Sequence, residues 1–126
     1  MPKVCVFDDD GVVLKILTKY LEEAEYEVVA RKDSSDAEEV LKAEIPDCVV
    51  TDMIMNPVDG LEITSAVRRS QPLKQTAVVM ISANREKQKY WQKVAKDLGA
   101  DGFLPKPFEA PDLINAVESA IAARRK

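Results

Sequence analysis

Val4-Cys5-Val6-Phe7-Asp8-Asp9 is a short apolar run that ends in two acids. The same arrangement recurs along the chain. Cys48-Val49-Val50-Thr51 leads into Asp52, Val78-Val79-Met80-Ile81 into Ser82, and Gly102-Phe103-Leu104-Pro105 into Lys106. Each run is short, β-branched or aromatic, and apolar without alternation, the pattern of a parallel strand buried on both faces. Sites in open parallel sheets form beyond the carboxyl ends of the strands. The pattern therefore predicts that Asp8, Asp9, Asp52, Ser82 and Lys106 converge on one edge.

Between these runs the apolar spacing is helical. Leu14, Leu17, Tyr20, Leu21 and Ala24 suit a first helix, and Val28-Val29-Ala30 a further strand. Ser35 and Glu38 read as a capping box ahead of Ala37, Val40 and Leu41, in a helix that stops before Pro46. Asn56-Pro57 and Asp59-Gly60 mark a loop, and Leu61 to Arg68 a helix that ends before Pro72. A fourth helix places Tyr90, Trp91, Val94, Ala95 and Leu98 inward as packing residues and stops at Gly99. Asp112 to Ile121 gives a last amphipathic helix. Five strands alternating with five helices predict a doubly wound α/β domain with a parallel sheet. No internal repeat or linker interrupts it, so residues 1–126 read as one domain.

Composition narrows the function. A net charge of −4 argues against a nucleic-acid surface, which needs a basic face. Arg124-Arg125-Lys126 reads as a solvated helix end, where cations are favoured. The apolar runs are too short for a membrane span, and Met1 leads directly into a strand without a leader. Cys5 and Cys48 fall inside buried strands and read as free thiols of a reducing cytoplasm. Histidine is absent, which excludes Ser-His-Asp and Cys-His sites, His-ligated zinc, and a phosphohistidine on this chain.

Three carboxylates, a hydroxyl and an ammonium at one edge suit a divalent cation and a phosphoryl group. Crowded carboxylates repel, and a cation relieves the repulsion. Mg²⁺ takes a few carboxylate oxygens and shares phosphate oxygens. Phosphoryl transfer needs in-line positioning and neutralisation of the equatorial oxygens.

Val6-Phe7-Asp8-Asp9, Asp52 with Met55 and Asp59-Gly60, Ser82-Ala83, and Gly102-Phe103-Leu104-Pro105-Lys106-Pro107-Phe108 together resemble the response-regulator receiver domain of two-component signalling. The resemblance covers essentially the whole chain. It implies the flavodoxin-like strand order 2-1-3-4-5, one of the common doubly wound orders. It implies Asp52 as phosphoacceptor, and Mg²⁺ held by Asp8, Asp9, Asp52 and the Ile54 carbonyl. Ser82 and Lys106 contact phosphoryl oxygens, Phe103 is the aromatic switch, and Lys106-Pro107 is cis. The implied partners are a sensor histidine kinase or histidine phosphotransfer protein and a downstream target protein. A homodimer through the fourth helix, fifth strand and last helix is consistent with it. The chain departs from the family pattern in one loop: Asn56 intervenes after Met55, and proline follows only at Pro57. The stretch from Ser82 to Gly99 is also slightly long.

A second reading belongs to another class. Phe7-Asp8-Asp9-Asp10-Gly11 matches the opening motif of haloacid-dehalogenase-type phosphatases, with Asp8 as nucleophile and Asp10 as general acid. Two features oppose it: no adjacent acidic pair follows Lys106, and no cap insertion encloses a substrate. A third reading is a degenerate receiver that only binds partners. The chain ends soon after its last helix, so output is expected through a partner surface, unless the chain is part of a larger protein.

Overall fold

The computed structural model describes residues 1–83 and 86–125. Strand and helix alternate: β1 (Lys3–Phe7), α1 (Gly11–Glu23), β2 (Glu27–Arg31), α2 (Ala37–Glu44), β3 (Cys48–Asp52), α3 (Gly60–Arg69), β4 (Ala77–Ser82), α4 (Gln88–Leu98), β5 (Gly102–Pro105) and α5 (Ala110–Arg124). A 3₁₀ turn at Gln71–Leu73 follows α3. All four strand pairings are parallel and the order is β2-β1-β3-β4-β5. Both the alternation and the implied order hold. The order reverses at β1, so β1 and β3 lie side by side and their carboxyl ends open into one crevice.

Each face of the sheet has its own core. Val4, Val6, Cys48, Val50, Val79 and Ile81 pack under α1 and α5 through Leu17, Leu21, Leu113 and Val117. Cys5, Phe7, Val49 and Val78 pack under α2 and α3 through Leu41, Ile63 and Val67. Burial on both faces explains why these strands lack alternation. It also places Cys5 and Cys48 on opposite faces of the sheet as buried free thiols. Burial pushes the Cys5 thiol up to about 12 and raises that of Cys48 as well. No helix among the described residues is long and apolar enough to cross a membrane.

Two local expectations fail. Ser35 does not cap α2: its N–H donates to Asp33 Oδ1 at 2.8 Å, and the N-cap is Asp36, without a side-chain bond. Asp33 turns the chain on itself before the helix begins. Tyr90 is not inward but 57% exposed, with its ring edge-on to Trp91 at 5.0 Å. The inward stripe of α4 is narrow, with only Ala95 fully buried, and Tyr90 lies one step off it. The basic end of α5 is solvated at Arg125, as read, and also makes ion pairs. Arg124 donates to Asp101 Oδ1 from Nε at 3.1 Å and from a terminal nitrogen at 2.8 Å, and Arg125 pairs with Asp47. Lys126 lies outside the described residues, as do residues 84–85 within the long Ser82–Gly99 stretch.

Asp101 organises the edge opposite the crevice. It also accepts from Arg68 at 2.8 Å and from the Val78 N–H at 2.9 Å. Gly99 ends α4 at φ +107°, where a Cβ would sit 2.7 Å from the Arg68 side chain.

Candidate functional site

Asp8 follows β1 directly and is wholly buried. Its Oδ1 accepts from the Asp10 N–H at 2.9 Å, while its Oδ2 has no hydrogen-bond partner. Asp10 itself caps α1, accepting from the Val12 and Val13 N–H groups. Asp9 is exposed, and its Oδ2 accepts from the Asn56 N–H at 3.4 Å. Asp52 is the last residue of β3 and is half-buried. One carboxylate oxygen from each of Asp8, Asp9 and Asp52 lies within 4.8 Å of the others.

Lys106 reaches this cluster from beyond β5. Its Nζ lies 3.7 Å from Asp8 Oδ2 and 3.6 Å from Asp52 Oδ2. The main chain sets this reach: the Lys106 N–H donates to the Ser82 carbonyl at 2.8 Å, just past the pairing of Ser82 with Pro105. Lys106-Pro107 is cis, as the resemblance implies. Ser82 is buried at the end of β4 and lines a cavity of about 290 Å³ with Asp52, Met53, Ile54 and Ala83. Ile54 is 64% exposed at its rim. Phe103 stands apart, half-buried in β5 against Met53, Met80 and Ala95.

Burial is the largest influence on both inner carboxyls. It raises Asp8 and Asp52 above the ordinary carboxylate range. At Asp8, the Asp10 N–H and the Lys106 ammonium oppose the rise, and the charges of Asp9 and Asp10 add to it. At Asp52, Lys106 opposes it, and Asp8 and Asp9 add to it. The site is thus rich in negative charge and incompletely neutralised by its own lysine.

The loop from Met53 to Gly60 forms one wall. The Gly60 N–H closes it on the Met53 carbonyl at 3.0 Å. A Cβ at Gly60 would lie 2.4 Å from the Asp52 carbonyl oxygen, so only glycine permits this approach. Two further features of this loop have no counterpart in the sequence reading. Asn56-Pro57 is cis. The Ser34 hydroxyl bonds both backbone groups of Val58, 24 residues away. Neither Ser34 nor its neighbours carry a local pattern that marks it.

A doubly wound α/β domain with an acid cluster and an ammonium at its strand ends is the class that fold and site define. Residues 4–118 match the family model of the response regulator receiver domain, and the chain belongs to that family. It is 30% identical over 122 residues to the alkaline phosphatase synthesis transcriptional regulatory protein PhoP of Bacillus subtilis, covering 97% of this chain and 49% of that one. It is 29% identical to the phosphate regulon transcriptional regulatory protein PhoB of Rhizobium meliloti, covering 96% and 52% respectively. The chain therefore spans about half the length of these curated relatives. Among solved structures, a receiver domain protein from Clostridium thermocellum superposes with a TM-score of 0.87 at 26% identity, covering 99% of this chain and 98% of that one. Chemotaxis protein CheY4 of Vibrio cholerae gives 0.85 at 28% identity, covering 95% and 98%. The chain is a receiver domain homologous to these proteins, a module of two-component signalling. That membership displaces the phosphatase reading.

Proposed function

We propose that Asp52 is the phosphoacceptor. A carboxylate oxygen of Asp52 attacks the phosphorus of a phosphohistidine on a sensor histidine kinase or histidine phosphotransfer protein. The P–O bond forms as the P–N bond breaks, and the electron pair returns to the partner's imidazole nitrogen. Asp8, Asp9, Asp52 and the Ile54 carbonyl are the ligand set for Mg²⁺. When bound, the cation neutralises the clustered carboxylates and the oxygens of the transferred group. The donor set fits it: the acids are hard oxygen ligands, and Asp8 Oδ2 is buried without a hydrogen-bond partner.

Lys106 holds an ammonium beside the Asp52 oxygen, and the Ser82 hydroxyl donates to a second phosphoryl oxygen. Phe103 transmits the change to the face formed by α4, β5 and α5, through which a downstream target or a second copy binds. Residues 1–126 form one receiver domain, which works in the cytoplasm. It assists only its own phosphorylation and dephosphorylation, and it binds neither nucleic acid nor membrane itself.

The observation that carries this reading is the placement of Lys106 Nζ within 4 Å of both Asp8 and Asp52. Incubation with acetyl phosphate tests it by intact mass. One phosphoryl group should be gained with Mg²⁺ and none with chelator. A chain that gains none under either condition is a degenerate receiver, and the proposal falls.

A further inference from the structure

Ser34 lies in the segment between β2 and α2, outside every motif that marks the site. It is 1% exposed. Its hydroxyl donates to the Val58 carbonyl at 2.7 Å and accepts from the Val58 N–H at 3.0 Å. One side chain thus satisfies both backbone groups of a loop residue, as a partner strand would. The Ser34 carbonyl in turn accepts from the Ala37 N–H at 3.0 Å, which ties the clasp to the first turn of α2. Val58 packs against the core beneath α2 and α3.

The clasped loop carries the Ile54 carbonyl of the proposed ligand set and the Asn56 N–H that meets Asp9. Its base is closed by Gly60 on Met53, and its middle touches Asp9 through the Asn56 N–H at 3.4 Å. Between these two points Ser34 is the described side chain that hydrogen-bonds Val58. Without it, a loop bearing Ile54 and Asn56 keeps its ends and loses its central tie. Partly buried backbone groups left without partners seek others, and the loop moves to find them.

We infer that Ser34 is a positioning residue for the cation site: by clasping Val58 it fixes the loop that sets the Ile54 carbonyl and orients Asp9. The inference rests on the proposed Mg²⁺ site and adds a residue to its support. Groups that orient metal ligands typically change affinity by about 10–100-fold when removed. Ser34 acts one step further out, so Ser34→Ala is expected near the lower end, roughly a tenfold loss of Mg²⁺ affinity.

Calorimetric titration of the full chain with Mg²⁺ alone tests this, beside a control of matched burial. Thr76 is 2% exposed, and its hydroxyl donates to the Pro46 carbonyl at 2.8 Å at the opposite end of the sheet. Thr76→Val should lower the melting temperature and leave Mg²⁺ affinity at the parent value. Ser34→Ala should lower both, and Ser34→Thr, which keeps the hydroxyl, should recover affinity. Equal affinity in Ser34→Ala and parent overturns the inference and leaves the cation site standing. A parent that binds no Mg²⁺ overturns the cation site itself. Should Ser34→Ala fail to fold, the parent decides alone by NMR. Saturating Mg²⁺ should shift the Ser34 and Val58 amide resonances, and unmoved resonances at both overturn the inference.

Discussion

Lys106 Nζ stands 3.6 Å from Asp52 Oδ2, reaching across from beyond β5 to the end of β3. Both residues flank β4, and the Ser82 carbonyl at its end holds the Lys106 N–H at 2.8 Å. The backbone that carries the ammonium is therefore tied to the sheet edge. At that distance it lowers the energy of an added dianion more than it would in water, because the site is partly desolvated.

Replacing Lys106 by methionine keeps its length and removes the charge. Loss of one preorganised charged donor at a transition state slows reaction by about 10²-fold or more. Lys106→Met should slow Mg²⁺-dependent labelling by acetyl phosphate on that order, read by intact mass against time. Labelling within a few-fold of parent would remove Lys106 from the site.

Asp8 and Asp52 make stability depend on pH in a definite sense. Burial raises both carboxyls in the folded chain. The folded state then holds these protons more tightly than the unfolded state does. Stability therefore falls as pH rises from the ordinary carboxylate value through the raised one, and the deficit persists at neutral pH. Asp8→Asn removes a buried charge and keeps the Oδ1 that accepts from Asp10. It should melt higher than parent at neutral pH without Mg²⁺. Each tenfold difference in proton affinity between the folded and unfolded chain corresponds to about 1.4 kcal/mol, and each kcal/mol to roughly 4 °C in a domain of this size. The gap should close near pH 4, the ordinary carboxylate range, and Mg²⁺ should stabilise the parent alone. Scanning calorimetry reads all three outcomes, and a variant that melts below parent at neutral pH contradicts the account.

How much of this was legible in the sequence follows from how local each signal is. The strand ends were readable because burial on both faces imposes an apolar run, and the run stops where polar chemistry begins. Asp8, Asp9, Asp52, Ser82 and Lys106 are placed by that rule. The Ser34–Val58 clasp was not readable, since a hydroxyl bonding backbone 24 residues away leaves no periodic trace. The same holds for Asp101, which gathers Arg68 and Arg124 from two helices distant in the chain. The Ser35 capping box failed for a different reason. Ser35 and Glu38 have the correct spacing, but Asp33 captures the Ser35 N–H and shifts the helix start by a residue.

Gly60 gives a steric prediction. A Cβ there would lie 2.4 Å from the Asp52 carbonyl and 3.0 Å from the Met53 Cα, both of them backbone atoms that cannot turn aside. Gly60→Ala should force the loop and the end of β3 apart. Overpacking of this kind destabilises by about 1–3 kcal/mol. The urea midpoint should fall accordingly, and labelling at Asp52 should slow, because the displaced backbone is that of the proposed acceptor. An alanine variant with the parent's midpoint would mean that the loop has room the geometry denies it.

The nucleophile is the last and most decisive question. Asp52 and Asp8 are both acids at strand ends, and both lie within 4 Å of Lys106. Their surroundings differ. Asp8 is wholly buried, and its Oδ1 is held by the Asp10 N–H, which leaves little room for an approaching donor. Asp52 is half-buried and opens into the cavity shared with Ser82 and Ala83, where a phosphoryl group can be met by a hydroxyl on one side and the ammonium on the other. Asp10, which a phosphatase mechanism needs as general acid, is occupied in capping α1. Acetyl phosphate should therefore label Asp52. Asp52→Ala should abolish labelling, while Asp8→Ala should weaken it by damaging the cation site. Reduction of the acyl phosphate with borohydride, followed by peptide sequencing, locates the modified residue. A label on Asp8, or turnover of phosphate esters by the parent, would reverse the assignment of roles.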